Sequence, residues 1–567
     1  MEWKKRGSAA TIEQAVLQNS GLTIQELLQP EKSPPITGLD AALEHLAQAV
    51  KKNEQITVIG DYDADGITAS ALLYRLIRYG FRHEKIRVRL PRRFSEGYGM
   101  SESMTEEIDS GLVITVDNGI AAFEPIKQAK EKGLRVVVLD HHLPHESGQL
   151  PEADVVVDPH VTGGKFVDYC GAGLAYRLAL ASGVMSEKLR RQCCILAAIG
   201  TIADVMPLIG DNRNIVREGV ELMNTQDIFR NTEKLTELML IERATEETIG
   251  FKIGPAINAP GRLYDKGALL PFNLLAAETQ SAEYLEERIN QLIDCNDRRK
   301  ELVRTGLEEA KLLIAENCLV GDDVILIQPS DAAPDSIHQG VAGIIAGQLA
   351  EEMRRPVIVL ARSREPGVLK GSGRSYGGVN LKALLDCAKD ELVTYGGHAE
   401  AAGLSVAEEN IDSLSRALCR AYRDLGMTVT EETDTMYDIE IEEGDLDRAI
   451  AELNRFAPYG QGNPKPVVRL NGYHLSPRYG RHYRVQGDGS TVKLFGKDSS
   501  AVGFGMADQY QDSGCPMQID LIGLLSENVF AGRVEKQLQM LDFRPHQEAE
   551  HKSLLTNLLE QRLKTTL

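Results

Sequence analysis

Five short apolar runs alternate with helical stretches between about residues 55 and 210, and this alternation restricts the possible folds of the chain. The runs are ITVIG, IRVRL, LVITV, RVVVL and DVVVD. Short β-type runs separated by helices are typical of a mostly parallel α/β sheet. Ligands of such sheets bind beyond the carboxyl ends of the strands. The residues that follow each run are therefore the first candidates for function.

The first run continues into GDYDADGITA, which carries Asp61, Asp63 and Asp65 at the expected junction of a strand and a helix. Three carboxylates at this spacing would repel one another strongly at neutral pH without a cation. DxDxDG also opens an EF-hand loop, but the twelfth position of that loop needs a Glu and is here Leu72. One of the three aspartates can serve only as a helix cap. The set predicts a site for about two divalent ions.

Two later runs are also followed by metal-binding side chains. Asp117 follows LVITV, and Asp140, His141 and His142 follow RVVVL. The tripeptide DNG at Asp117 would by itself suit a hairpin turn, but the helical stretch after it favours a strand-to-helix junction. Two adjacent imidazoles can divide their roles, since one can bind metal while the other points to a phosphate or leaving group.

Asp204 lies within the apolar stretch CCILAAIGTIADVMPL. A buried carboxylate needs a partner, and either a metal ion or the end of a helix can provide one. No competing catalytic motif is present, because the sequence contains no P-loop, no GxGxxG after a strand, no GxSxG and no HExxH.

The net charge of −20 would argue against a polyanionic substrate, but it conceals a basic segment. From Arg75 to Arg93 eight basic residues stand against one acid, Glu84. A basic track that begins beside the first aspartates suits a polyanion. The alternative is a solvated helix face followed by a strand edge that is protected by charge.

Length and composition indicate a cytoplasmic protein of several domains. At 567 residues the chain is too long for a single core. It has no run of about 18 apolar residues that could span a membrane, and no apolar segment behind the N-terminal charges that would form a secretory signal. The eight cysteines are scattered without a CxxC pair, which favours reduced thiols.

Composition and periodicity predict a mixed α/β fold with a C-terminal β-barrel. The barrel is expected to be small and antiparallel, and its Tyr479, Tyr483, Phe495 and Phe504 could stack on bases, although such residues more often form the barrel core. The predicted segments are an N-terminal helical segment over 1–50, an α/β catalytic domain over 51–210, a helical connection over 211–317, a second α/β domain over 318–426, an acidic connecting segment over 427–461, the barrel over 462–546 and a C-terminal helix over 547–567.

Taken in order, GDYDADGITA, TVDNGI, VLDHH and GTIADVMPL resemble the first four motifs of the DHH superfamily of metal-dependent phosphoesterases. The chain resembles most closely its RecJ family of single-strand-specific 5′ to 3′ exonucleases. GPAINAPGRLYD, HQGVAGIIAGQLAE, GSGRS, GGHAEAAG and APYGQGNPKP resemble later segments of that family. The resemblance covers roughly residues 50–545 and implies a DHH domain, a DHHA1 domain and an OB-fold nucleic-acid-binding domain.

The resemblance implies roles for matching residues. It implies two ions, Mn²⁺ or Mg²⁺, held by Asp61, Asp63, Asp65, Asp117, His141 and Asp204. The catalytic set would be Asp63, Asp65, Asp117, His141, His142 and Asp204, with His142 on the scissile phosphate. The 5′-terminal phosphate would be held by Arg93, Ser372 and Arg374. The DNA path would be lined by Asn258, Arg262 and His398.

We therefore expect two-metal hydrolysis of single-stranded DNA from its 5′ end to mononucleotides, in DNA repair and recombination. The resemblance implies a single-strand-binding protein and a RecQ-type helicase as partners, and no membrane contact is expected. One alternative is a phosphodiesterase acting on short oligoribonucleotides or cyclic dinucleotides, but such relatives generally lack an OB-like module. Another is a non-catalytic binding protein, although such relatives often lose metal ligands that are all present here.

Overall fold

The computed structural model of the chain describes residues 2–145, 147–278, 281–330, 332–430, 434–478, 480–487, 489–530 and 532–546. The predicted helix at 547–567 and Tyr479 lie outside the described residues. The chain forms two compact units. The larger unit comprises Ser33–Met206 and Glu218–Glu432, and the smaller comprises Met1–Lys32, Pro207–Arg217 and Thr433–Leu567.

The described strands have 3 to 13 residues, and the two longest, β18 and β19, belong to the smaller unit. In chain order they are β1 Trp3–Lys5, β2 Ile56–Ile59, β3 Ile86–Arg89, β4 Leu112–Val116, β5 Arg135–Leu139, β6 Val155–Val157, β7 Ile325–Ile327, β8 Val357–Arg362, β9 Val368–Arg374, β10 Thr394–Gly397, β11 Ala401–Ala407, β12 Thr435–Tyr437, β13 Ile439–Ile441, β14 Val467–His474, β15 Tyr483–Gln486, β16 Thr491–Phe495, β17 Ser499–Gly503, β18 Gln518–Phe530 and β19 Arg533–Pro545.

The α-helices lie mainly in the larger unit. In chain order they are α1 Ile12–Ser20, α2 Ile24–Leu28, α3 Leu39–Lys51, α4 Ala64–Arg75, α5 Glu102–Glu106, α6 Phe123–Glu131, α7 Pro159–Thr162, α8 Gly171–Ser182, α9 Glu187–Ala203, α10 Gly210–Met223, α11 Arg230–Leu238, α12 Glu246–Thr248, α13 Gly254–Leu263, α14 Leu269–Ala276, α15 Ala282–Glu316, α16 Ala342–Met353, α17 Leu381–Cys387, α18 Ile411–Asp424, α19 Leu446–Arg455 and α20 Ala507–Asp512.

The first sheet of the larger unit is parallel throughout, with the strand order β3-β2-β4-β5-β6. Its central strands β2 and β4 are fully buried, as expected when helices cover both faces of a parallel sheet. One face packs on α5 and α6, through side chains such as Met104 and Ile126. The helix α4 is almost entirely buried and packs against α8 and α9. This arrangement brings the carboxyl ends of β2, β4, β5 and β6 to one edge.

The second sheet of the larger unit has the order β10-β11-β9-β8-β7. Only β7 and β8 pair in parallel among its described strands. Side chains alternate between its faces: Ile325 and Ile327 belong to a core with α15 and α16, whereas Val324 and Leu326 belong to a core with α17 and α18.

The smaller unit contains a seven-stranded sheet in the order β13-β14-β18-β19-β17-β16-β15. The expectation of an antiparallel barrel over 462–546 is wrong for one pair, since β17 and β19 are parallel, and the added strand β13 also pairs in parallel with β14. Parallel pairing is possible because α20 and β18 separate β17 from β19 along the chain, which provides the crossover that parallel strands need. The segment 434–461 supplies β13 and α19 to this unit, so the sheet begins before residue 462.

Among the described residues, no helix combines the length and the apolar character needed to span a membrane. The eight cysteines are free thiols, and Cys170, Cys193 and Cys194 are buried.

Candidate active site

The polar residues that follow the first sheet's strands meet at one edge, because the strands are parallel. Asp61 and Asp63 follow β2, and Asp63 caps α4 by accepting the Gly66 N–H at 3.0 Å. Asp117 follows β4 with φ of 63°, in the left-handed region. The chain then turns into α6, so Asp117 lies at a strand-to-helix junction rather than in a hairpin.

The six predicted metal ligands form two groups at this edge. Within each group the ligand atoms lie within 4.8 Å of one another. The first group is Asp61, Asp63 and Asp117, and the second is Asp65, His141 and Asp204. His141 joins them, since its Nε2 lies 3.1 Å from Asp117 Oδ1 and 3.7 Å from Asp204 Oδ2. The six side chains therefore form one continuous cluster, the carboxylate pocket.

Burial and mutual repulsion disfavour the charged carboxylates of this pocket. Burial, reinforced by Asp63, raises the pKa of Asp61 well above its ordinary value. Burial, reinforced by the Asp65 charge, does the same to the pKa of Asp117 and raises the pKa of Asp204 to about 8. A cation supplies the missing positive charge. Carboxylate oxygens with one imidazole are a donor set that suits Mg²⁺ or Mn²⁺, so the residues fit a pair of such ions.

Asp65 is held by the first turn of α8, which the sequence did not indicate. The N–H groups of Gly171 and Ala172 donate to its two carboxylate oxygens at 2.6 and 2.9 Å. The unpaired N–H groups and the dipole at a helix N-terminus favour an anion there. The segment CGAGLAY matches no motif that would predict an anion site, so only the structure shows that it holds Asp65.

His142 occupies a different position from His141. Its Nδ1 lies 2.7 Å from the buried Asp140 Oδ1. Burial alone would lower the pKa of His142, but the hydrogen bond and charge of Asp140 outweigh it and raise the pKa to about 9. The Tyr98 hydroxyl donates to the Asp117 carbonyl at 2.7 Å and lies 3.1 Å from His142 Nδ1. Tyr98, which was not predicted, therefore links the loop that carries Asp117 to the loop that carries His142.

A further carboxylate, Asp158, follows β6 at the same edge and was not assigned a role, although the run DVVVD contains it. Its Oδ1 accepts the His160 N–H at 2.9 Å. Its Oδ2 is buried without a hydrogen-bond partner among the described residues. Burial raises the pKa of Asp158 to about 7.

Three arginines form a cationic group beside the carboxylates. The Arg93 guanidinium lies 4.6 Å from the centre of the Tyr62 ring, between Asp61 and Asp63 in sequence. Burial, and then the charge of Arg93, lowers the pKa of Arg262 to about 10 and also lowers the pKa of Arg374. Arg374 additionally donates to Ser372 Oγ at 3.0 Å. Guanidinium groups that repel one another form a ready site for a phosphate.

Two residues predicted to line the DNA path have other contacts. Asn258 Oδ1 accepts the Ala64 N–H at 2.8 Å, so it supports the first turn of α4 beside the aspartates. His398 is exposed, and its Nδ1 accepts the Glu400 N–H within the same hairpin. Their contribution to DNA binding stays a prediction.

Three arginines of the basic segment from residue 75 to 93 have structural partners, which weakens the interpretation of the segment as a substrate track. Arg75 is fully buried and donates to the carbonyls of Leu275 and Ala276. Arg87 and Arg89 both pair with Glu107. Acids distant in sequence neutralise these charges, which a count along the chain could not reveal. Arg93 is the member that reaches the candidate site.

Comparison with known proteins identifies three consecutive domains. Family models match at residues 55–201 (DHH family, N-terminal domain), 324–424 (DHHA1 domain) and 437–542 (RecJ OB domain). The single-stranded-DNA-specific exonuclease RecJ of Haemophilus influenzae is 32% identical over 472 residues, covering 78% of this chain and 79% of that protein. The enzyme of the same name from Bacillus subtilis is 32% identical over 529 residues, covering 89% of this chain and 63% of that protein.

Solved structures agree with these matches. The crystal structure of Thermus thermophilus RecJ in complex with Mn²⁺ superimposes with a TM-score of 0.77 at 28% identity, covering 96% of this chain and 80% of that one. The predicted family and the predicted fold class are confirmed. The named relatives favour an exonuclease over an enzyme of small substrates. This chain belongs to the RecJ family of single-stranded-DNA-specific exonucleases.

Proposed function

We propose that the protein degrades single-stranded DNA from its 5′ end and releases mononucleotides, using two divalent ions, Mn²⁺ or Mg²⁺. The proposal rests on one observation: the acidic carboxylate pocket and the cationic arginine group lie next to each other. Arg93 lies over the ring of Tyr62, which stands between Asp61 and Asp63 in sequence. Burial raises the pKa of both aspartates, and the charge of Arg93 opposes that rise. An anchored terminal phosphate would therefore leave a neighbouring phosphodiester beside the metal ligands.

The chain's own residues supply binding, orientation and a proton. Arg93 and Arg374, with Ser372, would hold the terminal phosphate. The bond that is cleaved would then be set by its distance from the 5′ end. His142, kept protonated by Asp140 at neutral pH, would donate to an oxygen of the scissile phosphate. Divalent ions held by the two groups of ligands would supply Lewis-acid activation of water and would neutralise the phosphate charge. Tyr98 would hold His142 and the Asp117 loop in one arrangement.

The OB domain would bind the strand downstream of the cleaved bond. OB folds combine cationic grooves with aromatic platforms. Phe504 is 63% exposed, whereas Tyr483 packs on Tyr510 with ring centres 5.3 Å apart. Phe504 is therefore the better candidate for stacking on a base.

The test uses single and double strands labelled at the 5′ or the 3′ end, with Mn²⁺, Mg²⁺ or a chelator. Release of a labelled mononucleotide from the 5′-labelled single strand, in the presence of metal only, is expected. A ladder of products that starts at the 3′ end, or equal attack on duplex, would refute the proposal.

We infer that the enzyme acts in the cytoplasm in DNA repair and recombination. The free cysteines and the DNA-processing family support this location. A single-strand-binding protein and a RecQ-type helicase are the proposed partners, since an exonuclease specific for single strands needs a supply of unwound DNA. Co-sedimentation with each purified partner tests this inference.

A further inference from the structure

One carboxylate, Asp265, connects chain segments that carry different members of the arginine group. It follows α13, and the sequence assigned it no role. Its Oδ1 accepts the N–H groups of Phe94 at 3.0 Å and of Ser95 at 3.2 Å. Its Oδ2 accepts a hydrogen bond from the guanidinium of Arg364 at 2.6 Å. A single side chain therefore contacts both the loop after β3 and the hairpin between β8 and β9.

Aromatic contacts reinforce this connection. The Arg364 guanidinium lies 5.9 Å from the centre of the Phe94 ring. Phe94 also meets the ring of His338 edge-on, with ring centres 5.9 Å apart. The Asp265 side chain is 20% exposed and the Arg364 side chain is 62% exposed, so water reaches the ion pair from the arginine side. Charged hydrogen bonds of this length are short and directional.

Two residues of this connection are close in sequence to members of the arginine group, and a third lies in the hairpin before a strand that carries one. Phe94 directly follows Arg93, and Asp265 lies three residues after Arg262. Arg364 lies in the hairpin that leads into β9, which ends at Arg374. The connection therefore ties together the three supports of the arginine group.

Tight backbone packing surrounds the same junction. A Cβ atom on Gly340 would lie 1.8 Å from the Arg262 carbonyl oxygen, and one on Gly343 would lie 2.8 Å from Ser372 Oγ. Gly340 therefore packs directly on the backbone of the last turn of α13, and Gly343 packs on the Ser372 side chain, so neither contact has space for an added side chain. The Asp265–Arg364 pair is instead made by side chains, which can be changed without creating a backbone clash.

We propose that the Asp265–Arg364 pair is a positioning element that fixes the spacing between Arg93 and Arg374 and so sets the preference for a 5′-phosphorylated end. This inference rests on the proposed function, in which these arginines hold the terminal phosphate. The pair contacts none of the predicted metal ligands, so it acts on end selection and not on bond cleavage. A displacement of about 1 Å in a binding group can cost up to roughly a hundredfold in rate.

The measurement is the ratio of kcat/KM for 5′-phosphorylated over 5′-hydroxyl single strands. The variants are Arg364→Gln, Asp265→Asn and the double variant, since asparagine retains an oxygen for the Phe94 and Ser95 N–H groups. The matched control is Arg423→Gln, which removes an equally short 2.6 Å pair with Asp323 inside the DHHA1 domain. Thermal unfolding of every variant reports whether the fold is intact.

Each single variant is expected to lower the ratio about tenfold, mainly through the phosphorylated substrate, while Arg423→Gln leaves it unchanged. The double variant should lower the ratio no further than either single one, because both remove the same contact. An unchanged ratio in Arg364→Gln, or independent and additive effects, would overturn the inference. If the unmodified enzyme shows no preference for a 5′ phosphate, the proposed end pocket fails instead, so the two failures are distinguishable.

Discussion

The carboxylate pocket and the arginine group lie side by side but are constructed in opposite ways. Every ligand of the pocket stands within two residues of a strand or helix end, or in the first turn of a helix, between residues 61 and 204. The three arginines come from three distant segments and reach the site on long side chains. The first site is fixed by the sheet, whereas the second depends on how separate elements contact one another. Changes to each site should therefore have different consequences.

The largest effect is expected from removing a metal ligand. Asp117→Ala or His141→Ala should lower the rate of hydrolysis about a thousandfold or more, because each residue belongs to a predicted metal group. Binding of single strands should be largely unaffected, since the arginines are intact. Single-turnover cleavage and equilibrium binding in chelator measure the two quantities. Cleavage retained by either variant would refute the metal assignment.

A smaller effect is expected from the arginine group. Arg374→Gln should lower kcat/KM for 5′-phosphorylated strands by about tenfold to a hundredfold, because a hydrogen bond to a charged group contributes about 1.5–3 kcal/mol. The 5′-hydroxyl substrate should be affected much less. Arg374→Lys is the matched control, since it keeps the charge and loses the planar fork. Equal losses on both substrates would show that Arg374 does not select the end.

The OB domain should contribute less again and only with long substrates. Phe504→Ala is expected to weaken binding of a long single strand about fivefold, because stacking of one base on a solvent-exposed ring is expected at the weak end of its range, about 1 kcal/mol. Binding of a trinucleotide should not change. Fluorescence anisotropy with strands of both lengths provides the comparison, and an equal effect on both would place Phe504 elsewhere than on the downstream strand.

The smallest predicted effect concerns the stability of the carboxylate edge. The pKa of Asp158 is about 7 in the folded chain, above the ordinary value of about 3.9. The folded state therefore keeps a proton on Asp158 that the unfolded state has released. The free energy of unfolding falls as the pH rises from about 4, and this contribution to stability is fully lost once the pH has passed 7. Asp158→Asn should stabilise the protein more at pH 8 than at pH 6, by about 1 kcal/mol.

Denaturant unfolding in chelator at both pH values measures this difference. Asparagine retains the oxygen that accepts the His160 N–H, so the cap of α7 is preserved. An equal change at both pH values would mean that the Asp158 charge is not the cause.

The contrast between the two sites also explains what the sequence could predict. Asp61, Asp117 and His141 were recognisable because each follows an apolar run, and parallel strands end at a common edge. Their neighbours in space were not recognisable in the same way. Tyr98 and Asp265 act through hydrogen bonds to residues 19 or more positions away, and no spacing rule marks such contacts.

Charge along the chain was the least reliable guide. The segment from residue 75 to 93 appeared to be a basic surface, but Glu107 neutralises two of its arginines and Arg75 is buried. The sequence shows how many basic residues a segment carries, but it does not show which acidic residues pair with them in the folded chain. The OB sheet was predicted as antiparallel for a related reason, since alternating polarity reveals strands but not the direction of their partners.

Two glycines carry a consequence for how such enzymes can diverge. A methyl group on Gly171 would lie 2.5 Å from Asp117 Cβ, and one on Gly200 would lie 2.6 Å from Asp65 Oδ1. Neither glycine can be replaced by a larger residue while these aspartates stay in place. We expect relatives that keep hydrolytic activity to keep both glycines together with the aspartates. We expect a relative in which either glycine is replaced to have lost hydrolytic activity beforehand.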